Sequence, residues 1–287
     1  MEMPAEAVEP VVAAVQSVPA AIVRPVLSGP LPVEANWKWW HTLTVIIFPV
    51  TILIFPLVII VFGIPLPSSL RLGNWLLNLV LFAAFIIFIG KGITGRWSGL
   101  LIDDRYKMSL SRLQTIAWTV LVLSAFITAV LTNMSSEGPF SAFKVGIPEQ
   151  LWLLLGISTT SLIGSSLVLG VKKQQPSQPP PSPDKLTKGP IVYNQDIKKA
   201  SWSDIFKGEE VSNDNVLDLG KVQMFYFTVL LVFGYGVALA LIFIDSNQKV
   251  ISMFPDPSMA VTGLLGISQA AYLINKALPR PGSPPSP

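Results

Sequence analysis

From Thr42 to Phe62 the chain runs 21 residues without a charged side chain. About 20 residues rising about 1.5 Å each cover the roughly 30 Å hydrocarbon core of a bilayer. No water is present there to satisfy the backbone, so such a segment must be helical. Five further predominantly apolar runs follow, at about 75–94, 113–131, 150–171, 222–244 and 259–278. The predicted fold class is therefore an all-α integral membrane protein with six transmembrane helices. Composition agrees: 51% of residues are hydrophobic and 13% charged, with a mean hydropathy of +0.57, whereas soluble domains carry about 25% charge.

The last four runs are a duplication. Ser109-Leu110-Ser111-Arg112-Leu113-Gln114 followed by Thr119-Val120-Leu121 returns as Asp218-Leu219-Gly220-Lys221-Val222-Gln223 followed by Thr228-Val229-Leu230, and Leu154-Leu155-Gly156-Ile157-Ser158 returns as Leu264 to Ser268. Each copy reads as a helical hairpin. Before each hairpin, Trp97-Ser98 with Leu100 and Leu101, and Trp202-Ser203 with Ile205 and Phe206, predict a short interfacial helix. Ser109 and Asp218 suit helix N-caps, and Ser111 with Gln114 a capping box. Pro148-Glu149 and Asp256-Pro257 mark the starts of the second helix in each hairpin.

The remaining organisation follows from composition. Residues 1–36 read as a mobile Pro/Ala-rich tail with a weak helix around 11–23, and 37–95 as a two-helix membrane unit. Residues 97–172 are the first repeat, 173–200 a Pro-rich extended linker, 202–278 the second repeat and 279–287 a mobile tail. Trp37, Trp39 and Trp40 with Lys38 and His41 form an aromatic collar before the first span, and Lys91 is placed to snorkel from the second. Pro49 and Pro56 predict a kinked first helix. Of 20 Lys and Arg, 17 fall on one side of a six-span topology, leaving Arg71, Lys144 and Lys249 opposite. This predicts cytoplasmic N- and C-termini and parallel rather than inverted hairpins.

Several chemistries are excluded. With no cysteine and one histidine, thiolate, iron-sulfur and His-pair metal chemistry are absent, and no cofactor is indicated. A net charge of +3 gives no reason to expect nucleic acid. No Asp or Glu lies deep in a span, which weakens ion-coupled solute transport. No nucleophile, base and orienting group come together, so an enzyme is not expected.

Three residue groups stand out. Gly156, Thr160 and Gly164, with Gly234 and Ala238 and with Gly266 and Ala270, form small-residue lines that mark helix packing within the chain or an oligomer face. Asp103, Asp104, Arg105 and Lys107, with Trp97 and Trp202, are candidates for docking a cytoplasmic partner, or a solvated loop beside anionic lipid. Gln114 and Gln223 mark equivalent repeat positions.

At Ser109 to Gln114 with Trp118-Thr119, and at Leu264 to Leu273 with Lys276, the chain resembles a loose group of bacterial polytopic membrane proteins carrying this motif pair over roughly 97–276. The resemblance implies a bacterial inner membrane and brings no activity. The reading is a non-enzymatic membrane anchor or docking scaffold whose partners are the bilayer, a cytoplasmic protein and, as a homo-oligomer, further copies of itself. An oligomeric channel is the alternative, and a solute transporter the weaker one.

Overall fold

A computed structural model describes residues 37–62, 67–138, 140 and 142–278. The tails read at 1–36 and 279–287, the weak helix at 11–23 and the side chain of Pro56 lie outside the described residues. Six long helices make up most of the rest: α1 (Trp39–Val61), α2 (Ser68–Thr94), α3 (Leu110–Glu137), α4 (Glu149–Lys172), α5 (Leu219–Ile244) and α6 (Met259–Ala277). Among them α2, α3, α4 and α5 are long and apolar enough to cross a membrane. Helix α1 has 23 residues and runs unbroken through Pro49. Helix α6 has 19 residues, and its second half carries Gln269, Asn275 and Lys276.

The apolar stripes of α2 to α6 meet in one core. Trp75, Trp118, Leu121, Leu151, Leu154, Tyr235, Leu239, Phe243 and Leu265 fill the space between them. Two polar pairs join facing helices: Trp75 Nε1 donates to Ser124 Oγ at 3.1 Å and Asn78 Nδ2 to Thr128 Oγ1 at 3.1 Å. In hydrocarbon such pairs fix register without exposing polar groups to lipid. Phe48 of α1 packs against Phe85 and Phe88 of α2.

Helix α3 continues six residues past the expected end at Leu131, because its polar residues find partners. Asn133 Nδ2 donates to the Ile251 carbonyl at 3.0 Å, and Asn133 Oδ1 accepts from the Ile251 amide at 2.8 Å. Nearby, Gly146 exchanges backbone hydrogen bonds with Ser252 and Phe254, and Arg71 donates to the carbonyls of Gln248 and Lys249. The two interhelical loops at this end are thereby tied to each other.

The opposite end departs further from the expectations. Residues 173–200 are not an extended linker throughout. An antiparallel hairpin, β1 (Lys185–Lys188) with β2 (Ile191–Asn194), follows the proline run, and Ile191 and Tyr193 are buried against Leu169. The two expected interfacial helices are single 3-10 turns, at Gly99–Leu101 and Trp202–Phe206. Ile205 is buried with Ile102, Met108, Leu110, Met224 and Tyr272, so this segment caps the helix ends with a core of its own. The first turn fits because Gly99 lies against α2: a Cβ there would stand 2.3 Å from the Gly90 carbonyl oxygen.

The caps are likewise redistributed. Asp218 accepts from the amides of Gly220 and Lys221 at 3.0 and 3.2 Å. Ser109 occupies the N-cap position of α3 without a side-chain bond, and Ser111 with Gln114 forms no capping box because both face the buried interior. A capping box is made instead by Ser201 and Asp204.

Candidate functional site: a charge cluster beneath the cap

Cations arrive at the cap from three helix ends and the 102–109 loop, and the acids arrive from the segment after the second 3-10 turn. Lys172 closes α4, Lys276 lies in the last turn of α6 and Lys221 in the first turn of α5. A cation in a last turn also meets the negative end of its helix dipole. Glu209 stands under three of these groups, with Lys276 Nζ at 2.6 Å, Lys221 Nζ at 3.1 Å and Arg105 at 3.3 Å. Arg105 is also gripped by Asp103, at 2.8 Å through Nε. Glu210 pairs with Lys172 at 2.6 Å, and Lys172 donates to the Leu278 carbonyl at 3.0 Å. Lys107 pairs with Asp214.

These pairs are withdrawn from solvent. Arg105 is 2% exposed and Lys107 4%. Of the two expectations for Asp103, Asp104, Arg105 and Lys107, docking a partner or forming a solvated loop, the burial of Arg105 and Lys107 corrects the solvated alternative for those two. The reason is that the acids of residues 209–214 fold back over them. Asp103 is spent on Arg105, and Asp104 remains at the surface beside Lys173. The turn is further clamped from β2, where the Asn194 amide donates to the Arg105 carbonyl at 3.0 Å and Nδ2 to the Tyr106 carbonyl at 2.6 Å.

Electrostatics follow the geometry. Burial alone pushes the Glu209 carboxyl up, but Arg105, Lys221 and Lys276 outweigh it and hold it well below the usual carboxylate range. Burial likewise opposes the Arg105 charge, and Asp103 and Glu209 overcome it. Lys107 goes the other way, since burial lowers it by more than Asp214 restores. A carboxylate held ionised under three cations has no proton to exchange near neutrality and is a poor general acid or base. The arrangement joins parts of the chain rather than activating one of them.

Beneath the cluster a polar seam enters the bundle. Lys276 donates to Ser165 Oγ and, at 3.1 Å, to Tyr272 Oη. Deeper, Gln269 Nε2 donates to Gln114 Oε1 at 2.6 Å. Ser111 Oγ, Trp118 Nε1 and Ser161 Oγ are buried without a hydrogen-bond partner among the described residues. Gln223, expected from the matching stretches 109–114 and 218–223 to correspond to Gln114, is exposed, so the two positions do not share an environment.

The small-residue lines divide. Gly164 packs against α6, where an added Cβ would meet Leu273 at 3.1 Å. Gly156, Thr160, Gly266 and Ala270 instead line an open groove of about 400 Å³ between α4 and α6. Gly234 is exposed with nothing within 4 Å of an added Cβ, and Ala238 is half-buried. Trp97 and Trp202, each followed by Ser in the sequence, converge on one apolar groove of about 820 Å³ among α2, α3 and α5. Lys91 does not simply reach for the interface, as its Nζ lies 3.4 Å from the centre of the Trp97 ring.

Sequence reasoning missed Glu209, Glu210, Asp214, Lys221 and Lys276. The available signal was the run of acids from 209 to 218 inside an otherwise basic segment. Comparison of the chain with protein-family models, with curated proteins and with solved structures gives no match.

Proposed function

We propose that the chain is a non-enzymatic membrane anchor whose capped end is a ready-made docking platform for a cytoplasmic protein. The observation that carries this reading is the ion cluster centred on Glu209, which fastens residues 173–218 to three helix ends and the Arg105 loop. Buried ion pairs contribute little net stability compared with apolar packing, but they fix geometry. A surface that must present one shape to a partner is a use for that rigidity. In this reading all six helices span a bacterial inner membrane, the last four as two parallel hairpins, with both termini and the cap in the cytoplasm.

The core between α2 and α6 is filled by large side chains, which speaks for a scaffold over a passage through one chain. A second reading, an oligomer with a pore between copies, is favoured by the open Gly156 groove. Native mass spectrometry of gently extracted protein separates them. The anchor predicts a stoichiometric foreign protein that is lost when exposed Lys198 and Lys199 are both changed to Glu. A partnerless homo-oligomer that conducts in planar bilayers would overturn it.

A further inference from the structure

A cavity of about 220 Å³ lies between the start of α3 and the last turns of α4. At about 30 Å³ per water it holds roughly seven waters, a volume suited to a small polar group. Its charges balance: Arg112 and Lys173 face Asp103 and Asp104. Arg112 spends one terminal nitrogen on the carbonyls of Leu100 and Ile102, at 3.4 and 2.9 Å. Its Nε and second terminal nitrogen have no partner among the described residues. Ser109, also on the wall, leaves the first turn of the 28-residue α3 without a side-chain cap, and uncapped amides at a helix start favour an anionic oxygen. Lys173 is held by Asp104 and stacks 5.5 Å over Tyr193.

The mouth gives the other half of the ligand. Ser166 forms part of the wall and is exposed, six residues, or about 9 Å, before the end of α4. On either side of it Ile163 and Leu167 are 55% and 66% exposed, which is the character of a lipid-facing surface. The polar cavity thus adjoins a lipid-like helix face near the end of α4, with Leu162 and Leu169 also on its wall.

We propose that this cavity binds the headgroup of a zwitterionic phospholipid bearing a primary ammonium, the phosphoethanolamine class. The phosphate lies by Arg112 and the α3 amides, the ammonium by Asp104, and the acyl chains leave past Ser166. The acids separate this site from a purely basic, anionic-lipid site. An ammonium with three N–H donors can share the Asp104 carboxylate with Lys173, where a quaternary choline, having none, cannot.

The test uses the full chain in nanodiscs holding equal parts of phosphatidylethanolamine, phosphatidylcholine and phosphatidylglycerol, released into mild detergent for native mass spectrometry. One phosphatidylethanolamine per chain is expected, enriched about tenfold over each competitor, the discrimination of one charge-assisted hydrogen bond. Asp104→Asn should abolish the preference over phosphatidylcholine, and Arg112→Gln should reduce retention of all three lipids. Because Arg112 also supports the 100–102 turn, Ser166→Leu is the decisive variant: it obstructs the mouth on an exposed helix face and should release the lipid while the protein stays folded. Equal retention of all lipids, enrichment of phosphatidylglycerol, or unchanged retention by Ser166→Leu would overturn the proposal. Displacement of the bound lipid by soluble glycerophosphoethanolamine at equal concentration would also overturn it, assigning the site to a solute.

Discussion

Replacing Glu209 by Gln removes one negative charge, leaves Arg105 paired with Asp103, and takes the ion-pair partner from Lys221 and Lys276. Each contact to Glu209 is 3.3 Å or shorter, and at an effective dielectric of about 20 a unit pair at 4 Å attracts by about 4 kcal/mol. Desolvation offsets much of that sum, and breaking a buried pair by removing one partner costs about 3–5 kcal/mol net. At about 2–4 °C per kcal/mol, the melting temperature in a fixed detergent should fall by roughly 6–20 °C. Limited proteolysis should also begin to cut residues 173–218. Adding Lys276→Met removes the excess cation, so the double variant should be more stable than the sum of the singles, a coupling above about 1 kcal/mol. Acidification supplies a control with a definite sign. The folded Glu209 is held below its unfolded range, so its contribution is present above an unfolded pKa of about 4.3 and is lost as pH falls through the lower folded value. The Gln variant should lack that part of the acid-induced loss. A shift of under about 1 °C with unchanged proteolysis would refute the reasoning.

Two glycines offer a contrast within one experiment. A Cβ at Gly99 would lie 1.9 Å from Thr94 Oγ1 and 2.3 Å from the Gly90 carbonyl oxygen, whereas at Gly156 nothing lies within 4 Å. Gly99→Ala should destabilise by about 1–3 kcal/mol and Gly156→Ala by under about 0.5 kcal/mol, read by thermal unfolding of each purified variant. At the end opposite the cap, Asn133→Leu strands the amide and carbonyl of Ile251 and should cost about 2–5 kcal/mol. Hydrogen exchange should rise at residues 249–254 while the cap stays protected, and equal exchange at both ends would count against the assignment.

The helices were legible because a bilayer demands length and apolarity, properties a chain displays locally. The apolar runs found α4, α5 and α6 to within about three residues, while α2 starts earlier and α3 ends later than expected. Both differences come from polar residues satisfied by distant partners: Arg71 by the carbonyls of Gln248 and Lys249, and Asn133 by Ile251. The cap was illegible for the same reason. Lys107 and Asp214, like Gln114 and Gln269, lie more than 100 residues apart, and no local period announces such pairs. Several basic residues that argue for orientation by their number are also structural, a dual use that counting loops does not reveal. The Trp-Ser spacing at Trp97 and Trp202 was visible, and its outcome, two rings on one groove, required the fold.

The composition of the Glu209 cluster sets an order of assembly. Glu209 leaves the ribosome 67 residues before Lys276, which at about 5–20 residues per second is an interval of roughly 3–13 s. Until then the carboxylate has only Arg105, made before it, and Lys221, made 12 residues after it, and its 2.6 Å contact is unmade. Helix α6, whose second half is polar, is thus recruited by charge as well as by hydropathy. Helix α6 is the latch that closes earlier-made parts around it.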